Sequence, residues 1–374
     1  MRLRNDSLSA FPMTKPDIKD LNRSELVEWL RERKQPPYRA AQIQKWLFQK
    51  RATSFSEMTN LPADLRGALE ENFSCRPLKT LARSVSEDGT VKFLFGLADS
   101  FSIESVLIPE ASRLTLCVST QAGCGFGCAF CATARMGLKR SLRVGEILGQ
   151  LLEAGRSLPK EKRITHVVLM GMGEPLANYA QTLRALEIMT DPERGFGISH
   201  RRITLSTVGL VPQMERLMEE TRVNLAVSLH ATTDELRSEL MPVNRKYPLA
   251  ALIQCCRSLP ILKRKRITFE YVLLRGLNHS AEDARRLAHL LEGIRCKINL
   301  IPFNPFPGSA FQRPTADEVE EFQRRLSAYG FQVNVRTPRG DDIQAACGQL
   351  NSEFNVQSSR FDVEHRTLNL ELGG

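Results

Sequence analysis

The spacing of hydrophobic positions near the N-terminus is that of amphipathic helices. Between about residues 17 and 75, apolar side chains recur at intervals of three and four residues. Leu26, Trp29 and Leu30 share one face of the first predicted helix, and the segment KQPPYR separates this helix from a second. We therefore expect residues 1–76 to form a small helical accessory domain.

Strand-like alternation of apolar and polar residues begins at about residue 78. It continues to about residue 108 on both sides of an EDG turn, which is typical of a β-hairpin or meander. Residues 77–112 are therefore predicted to be a strand-rich linker that leads into the main domain.

From residue 113 onward, strand patterns and helix patterns alternate. The predicted strands are RLTLCVST, ITHVVLMG, RRITLSTVG, VNLAVSLHA, RITFEYVLL and CKINLIPFN, and FQVNVRTPR follows the last helix. Six successive β-α units predict an α/β core over residues 113–350, built on a parallel sheet with helical crossovers. We expect residues 351–374 to form a C-terminal tail. The pattern does not distinguish an open doubly wound sheet from an incomplete barrel, but both place functional residues at the C-terminal ends of the strands.

Charge and composition narrow the class of protein only moderately. The 52 basic and 42 acidic residues give a formal charge of +10, which is equally compatible with a polyanionic partner and with a solvated basic surface. No apolar secretion signal or membrane-spanning run is evident, so we expect a cytoplasmic protein without a membrane partner. Thiols stay reduced in that compartment, and its nine cysteines therefore point to metal binding or catalysis.

Three cysteines with the spacing C-x3-C-x2-C follow the first core strand: Cys124, Cys128 and Cys131. A structural zinc site normally uses two pairs of closely spaced cysteines, each in one turn. The sequence offers no second such pair, because Cys255 and Cys256 are adjacent within a predicted helix. A four-iron cluster held by three thiolates would leave one iron open for a substrate. The spacing therefore favours a catalytic iron–sulfur cluster.

Other unusual motifs also fall at predicted strand ends. GMGEP follows the second strand, Ser206 ends the third, Ser228 and His230 end the fourth, and FNPFPG follows the sixth. Because the C-terminal ends of parallel strands meet at one edge of a sheet, we expect these residues to gather around the cysteines.

The cysteine motif resembles that of the radical S-adenosylmethionine (SAM) superfamily. Seven motifs in order resemble its RlmN/Cfr branch, the radical-SAM RNA adenine methyltransferases: TLCVSTQAGCGFGCAFCAT, LMGMGEPLANY, ITLSTVG, LAVSLHA, MPVN, IPFNPFPG and RGDDIQAACGQL. This resemblance covers nearly the whole chain. It implies a partial (β/α)6 barrel, one 4Fe-4S cluster per chain and SAM as cofactor.

The resemblance also implies roles for individual residues. Cys124, Cys128 and Cys131 match the cluster ligands. The positions that match SAM contacts are Gly173, Glu174, Ser206, Ser228, Leu229, His230 and Asn304.

Three further residues match the catalytic positions of the family. Cys347 corresponds to the S-methylcysteine intermediate, and Cys117 to the cysteine that resolves the RNA adduct through a transient disulfide with Cys347. Glu104 corresponds to the proton acceptor at the adenine carbon.

The implied activity is methylation of carbon 2 of an adenine in 23S rRNA and of the adenine 3′ of the tRNA anticodon. A flavodoxin-like electron donor and a monomeric enzyme, with the helical domain as a candidate RNA-binding element, complete this expectation. The alternatives are Cfr-type methylation at carbon 8, a radical SAM enzyme with a non-RNA substrate, and a non-enzymatic iron–sulfur or zinc RNA-binding module. Ala134, Leu138 and Ser141 depart from the family pattern in the loop after the cluster motif.

Overall fold

The structure is a computed structural model that describes residues 15–262 and 265–352. Most of the predicted C-terminal tail, residues 353–374, lies outside the described residues. Within the described ranges, no helix combines the length and the apolar character needed to cross a membrane.

The N-terminal region is helical, as predicted. Its helices are α1 (Arg23–Glu32), α2 (Tyr38–Phe48) and α3 (Ala63–Asn72). Asn22 and Glu25 form a reciprocal capping box that begins α1, since each side chain accepts a hydrogen bond from the other residue's backbone N–H. Leu26 and Leu30 are buried, whereas Trp29 is only partly covered and packs edge-on against Phe73.

Four antiparallel strands follow: β1 (Lys79–Val85), β2 (Val91–Gly96), β3 (Ser102–Glu110) and β4 (Arg113–Cys117). The register pairs Val106 of β3 with Cys117 of β4. Because β4 also pairs in parallel with the next core strand, the predicted meander is an antiparallel extension of the core sheet.

The parallel part of the sheet runs from β4 to the last strand without reversal. Its further strands are β7 (His166–Leu169), β8 (Ile203–Thr207), β9 (Asn224–Ser228), β10 (Ile267–Leu273), β11 (Cys296–Pro302) and β12 (Val333–Val335). The complete order of the ten-stranded sheet is β1-β2-β3-β4-β7-β8-β9-β10-β11-β12. A doubly wound sheet reverses its strand order, whereas steady progression with right-handed crossovers keeps the helices on one face. The order therefore identifies the partial barrel.

Helices connect the parallel strands. They are α5 (Val144–Arg156), α6 (Tyr179–Thr190), α7 (Val211–Glu220), α8 (Asp234–Leu240), α9 (Leu249–Ser258), α10 (Ala281–Leu291) and α11 (Ala316–Ala328). Every residue of β10 is buried, which is typical of a parallel strand that is covered on both faces. The remaining elements lie beside the cysteine motif: the two-stranded sheet β5 (Gln121–Gly123) and β6 (Leu138–Ser141), and the single turn α4 (Ala132–Arg135).

Candidate active site

A cavity lies at the C-terminal edge of the parallel strands. Its volume, counted to the open mouth, is about 990 Å³. Ten residues predicted from the sequence line it: Cys124, Cys128, Cys131, Gly173, Glu174, Ser206, Ser228, His230, Asn304 and Cys347. Tertiary folding thus brings together residues from strand ends up to 223 positions apart in the chain, the separation of Cys124 and Cys347.

The cysteine loop begins at a glycine that no other residue could replace without rearrangement. Gly123 has φ +75°, and a Cβ atom there would lie 1.9 Å from the carbonyl oxygen of Gly137. The same oxygen accepts a hydrogen bond from the Cys124 N–H at 3.1 Å, and Cys131 N–H donates to the Cys128 carbonyl at 3.1 Å. The small sheet of β5 and β6 therefore holds a tight loop that presents all three thiols to the cavity.

Burial raises the pKa of each of these thiols, to about 12 for Cys124 and well above the ordinary value for Cys128. Neighbouring thiolates raise it further, so the three sulfurs ionise together only when a cation compensates them. No group of three His, Cys, Asp or Glu side chains in the described ranges could hold a single metal ion. A four-iron cluster has a different requirement, because each thiolate binds a different iron, and three cysteines on one cavity wall fit it.

Gly173 and Glu174 form the turn after β7. Gly173 has φ +94°, and a Cβ atom there would lie 2.4 Å from the side chain of Gln121. The Glu174 carboxylate accepts hydrogen bonds from Leu176 N–H at 3.0 Å and Val208 N–H at 2.8 Å. Burial nevertheless raises the pKa of Glu174 to about 7. The site therefore holds a carboxyl group that a bound ammonium group would ionise.

The ends of β8 and β9 are held by Arg237, a fully buried residue that the sequence analysis did not identify. Its guanidinium donates to the carbonyl oxygens of Val208, Ser228 and Leu229 at 3.0–3.1 Å and to Asn244 Oδ1 at 2.8 Å. Asn244 belongs to the MPVN motif, which was the sequence signal for this network.

Leu229 is the one predicted SAM-contact position that does not line the cavity. Its side chain is fully buried, its N–H donates to the Glu270 carbonyl at 3.0 Å, and its carbonyl accepts from Arg237. In this structure Leu229 therefore positions its neighbours Ser228 and His230.

His230 is neutral and has a defined tautomer. Its Nδ1 accepts a hydrogen bond from Val272 N–H at 2.9 Å, so the ring proton is on Nε2. Burial lowers the pKa of His230 to about 3, and the Arg237 charge adds to this effect. Phe130 packs edge-on against the ring at 4.7 Å. The residue thus offers one fixed N–H donor.

Asn304 connects the FNPFPG turn to the segment that carries Cys347. Its Nδ2 donates to the Cys347 carbonyl at 3.0 Å, and its Oδ1 accepts from Arg313 at 2.6 Å. A backbone bond from Ala132 to Gly348, 2.8 Å long, ties the same segment to the cysteine loop. These contacts explain why Cys347 lies at the cavity although it is far from the cluster motif in the chain.

Cys117 ends β4 and is buried behind the cavity wall. Burial and the neighbouring Cys347 thiol raise the pKa of Cys117 to about 12, while the Arg336 cation opposes this shift. All nine cysteines, each within the described residues, are free thiols. The two cysteines are therefore electrostatic neighbours without a disulfide in this structure.

Glu104 lies on β3 and does not line the cavity. It is fully buried, its Oε1 lies 3.5 Å from Lys92 Nζ, and its Oε2 accepts from Asn351 N–H at 2.8 Å. Asn351 is four residues after Cys347, so the segment that carries Cys347 also covers the predicted proton acceptor.

Glu270 and Arg336 also line the cavity, and the sequence analysis missed both. Glu270 Oε1 accepts from Asn299 at 3.0 Å, whereas Oε2 is buried with no hydrogen-bond partner and lies 3.9 Å from Arg336. An orphaned carboxylate oxygen in a ligand cavity is satisfied when a ligand supplies a donor, such as a ribose hydroxyl. This observation fits SAM. The sequence signal was a carboxylate in the otherwise apolar strand RITFEYVLL.

Comparison with known proteins agrees with this geometry. The family model of the Radical SAM superfamily matches residues 118–288, and that of the ribosomal RNA large subunit methyltransferase N-terminal domain matches residues 16–75. A radical SAM methyltransferase from Sphaerobacter thermophilus superposes with a TM-score of 0.86 and is 44% identical, over 90% of this chain and 99% of that one.

Two curated relatives carry a more specific description. The dual-specificity RNA methyltransferase RlmN of Syntrophobacter fumaroxidans is 49% identical over 337 residues, 90% of this chain and 98% of the relative. That of Geobacter sulfurreducens is 50% identical over 340 residues, 91% of this chain and 93% of the relative. The similarity therefore includes both the helical domain and the core.

Proposed function

This chain belongs to the RlmN family of radical SAM RNA methyltransferases, and on that premise we propose that it methylates carbon 2 of an adenine in 23S rRNA and of the adenine 3′ of the tRNA anticodon. The observation that carries the proposal is the convergence of the three cluster cysteines with Cys347 on one cavity. The dual specificity in the names of the relatives supports two RNA substrates.

Cys124, Cys128 and Cys131 would hold the 4Fe-4S cluster, and the opposite wall would hold SAM. When bound, these cofactors supply an adenosyl radical, which allows a carbon of adenine that is not a nucleophile to react. Glu174 would receive the SAM ammonium group, while Ser206, Ser228 and Asn304 offer polar groups along the same wall. Phe130, Phe303 and Val272 exclude water from it.

Cys347 would carry the methyl group as a thioether. After loss of a hydrogen atom, that carbon would bond to carbon 2 of adenine. Departure of the carbon-2 proton and of one electron, which the bound cluster would accept, would leave a closed-shell thioether that ties the RNA to the protein. The Cys117 sulfur then attacks the Cys347 sulfur, so that a disulfide forms as the carbon–sulfur bond breaks and the carbon takes up a proton to complete the methyl group. The Arg336 cation opposes the rise in the pKa of Cys117 and so favours the thiolate needed for this attack.

Glu104 would accept the proton that leaves carbon 2. In the present arrangement Asn351 N–H occupies its Oε2, so this role requires the segment after Cys347 to withdraw from the carboxylate. Movement of one segment would then both carry the thiol toward the base and expose the acceptor.

The remaining parts of the proposal concern the setting of the reaction. We propose a monomeric enzyme, because the chemistry described above needs the residues of one chain only. We place it in the cytoplasm, where rRNA, tRNA and reduced thiols occur together. A flavodoxin would supply the electron at the cluster edge of the barrel.

The test is nucleoside mass spectrometry after an anaerobic reaction of the reconstituted enzyme with SAM, a reductant and unmodified rRNA or tRNA. 2-Methyladenosine in both RNAs is the expected product. 8-Methyladenosine would contradict the proposed position and assign Cfr-type chemistry, and SAM cleavage without any methyladenosine would contradict an RNA substrate. A Cys347→Ala variant is the matched control, because it removes the methyl carrier and leaves the three cluster cysteines in place.

A further inference from the structure

A second cavity lies at the opposite end of the parallel strands from the catalytic cavity. The first or second residue of each of four strands contributes to its lining: Thr204 of β8, Asn224 of β9, Thr268 of β10 and Lys297 of β11. Its volume, counted to the open mouth, is about 1,540 Å³. We call it the basal cavity; its remaining lining residues are His200, Arg201, Arg222, Leu262, Lys265, Arg266 and Gln332.

Among the described residues that line the basal cavity, five are Lys or Arg and none carries a carboxylate. Lys265 Nζ donates to the backbone carbonyls of Arg222 and Val223, and Arg266 donates to Gln332 Oε1 at 2.5 Å. These contacts orient the side chains but do not neutralise them, because every acceptor is uncharged. The cavity is therefore a concave surface of concentrated positive charge.

The titratable groups respond to that charge. Burial lowers the pKa of His200, and the nearby Lys265, Arg201 and Arg222 cations lower it further. Burial and Arg201 likewise lower the pKa of Lys265. Like charges held this close raise the free energy of the protein unless an anion binds between them.

We propose that the basal cavity binds backbone phosphate groups of the RNA substrate at a point distant from the target adenine. The identification of RNA as the ligand rests on the proposed function. Arg guanidinium groups match phosphate oxygens in a bidentate manner, Lys adds a point charge, and hydroxyl groups such as those of Thr204 and Thr268 donate to the same oxygens. Such contacts position a nucleic acid without reading its sequence, as an enzyme with two RNA substrates requires.

The placement of the two cavities at opposite ends of the strands favours a large RNA, because one ligand has to pass around the barrel to reach both. Along β11, Lys297 at the basal cavity and Ile301 at the catalytic cavity are four residues apart, about 13 Å of strand. A folded RNA that follows the side of the barrel reaches both cavities. A short hairpin that fills only the catalytic cavity does not.

The position of the cavity favours RNA over an acidic redox protein as its ligand. An electron donor has to approach the cluster, because electron transfer weakens with distance. The cluster cysteines lie at the other end of the strands, so a donor seated on the basal cavity would have the sheet between it and its acceptor.

The test compares salt dependence of RNA binding for the reconstituted enzyme and for an R201Q/R222Q variant. The control variant R285Q/R324Q has the same charge change on the outer helices α10 and α11, where both arginines pair with glutamates. The probes are a domain-sized fragment of 23S rRNA and a short hairpin that contains only the target adenine. A plot of the logarithm of the binding constant against the logarithm of salt concentration has a negative slope. Loss of two phosphate contacts should make this slope shallower by about 1.5 and raise Kd for the large fragment roughly three- to tenfold. The hairpin should bind both variants and the parent enzyme alike.

Equal slopes for R201Q/R222Q and R285Q/R324Q would overturn the proposal. A second result would also overturn it: R201Q/R222Q binds RNA with unchanged affinity but cleaves SAM more slowly when flavodoxin is the reductant. If the same variant cleaves SAM at the normal rate with dithionite, the basal cavity binds the redox protein. The methylation product of the hairpin, measured in the same samples, separates the two proposals. A methylated hairpin with unaltered slopes contradicts only the basal cavity, whereas SAM cleavage with neither RNA methylated contradicts the proposed function.

Discussion

The Glu174→Gln substitution is the most direct test of how the cavity binds SAM. The Glu174 carboxylate is 2% exposed, and each of its two oxygens accepts one backbone N–H, from Leu176 and from Val208. Glutamine retains the shape but replaces one acceptor oxygen with an NH2 group. One of the two N–H donors then faces another donor.

Two losses follow from this change. The orphaned backbone donor costs about 1–3 kcal/mol of unfolding free energy, since a buried N–H without a partner carries its full desolvation penalty. The lost hydrogen bond between a carboxylate and the SAM ammonium group costs about 1.5–3 kcal/mol of binding free energy. That second loss corresponds to a rise of roughly 10- to 150-fold in Kd for SAM.

The assay is anaerobic equilibrium dialysis of SAM against the cluster-loaded enzyme at pH 8, with urea unfolding of the same variants. Glu219→Gln is the control, because Glu219 is exposed on α7 and the charge change is identical. A Kd for Glu174→Gln within about twofold of the control would refute the proposed ammonium contact.

Four further predictions concern the same site. The pKa of Glu174 in the folded protein is about 7, above the ordinary 4.5, so its protonated form favours folding at low pH. This contribution to the free energy of unfolding should be lost as pH rises from about 4.5 to 7. SAM binding must expel that proton, so affinity should fall about tenfold per pH unit below 7 in dialysis and stay flat for Glu174→Gln. Cys128→Ser should abolish most of the visible absorbance of the reconstituted cluster; an unaltered spectrum would remove Cys128 from the ligand set. Cys117→Ala should accumulate a covalent protein–RNA adduct at Cys347 on denaturing gels, and free methylated RNA instead would contradict its resolving role. Arg237→Leu leaves several buried acceptors without donors and should lower the free energy of unfolding by about 3–5 kcal/mol in urea; a loss under 1 kcal/mol would show that the network is dispensable.

Local patterns in the chain were sufficient to predict most of the helices and strands and the edge of the sheet where the site lies, but not the short elements α4, β5, β6 and α8. Helical spacing depends on neighbouring residues, so α1 could be predicted directly from Leu26, Trp29 and Leu30. The resemblance to the family then supplied ten residues that the cavity brings together. The roles of those residues stay predictions until they are measured.

Tertiary structure decided what depends on contacts distant in sequence. Strand order, which separates the partial barrel from a doubly wound sheet, is set by pairings such as Cys117 with Val168 and not by any single strand. The orphaned oxygen of Glu270 is apparent only once Asn299 occupies the other oxygen. Likewise, Glu104 meets Asn351 across 247 positions of chain, a contact that no local spacing encodes. Burial and hydrogen-bond partners are properties of packed surfaces, and a periodic pattern specifies which face is packed but not what packs against it.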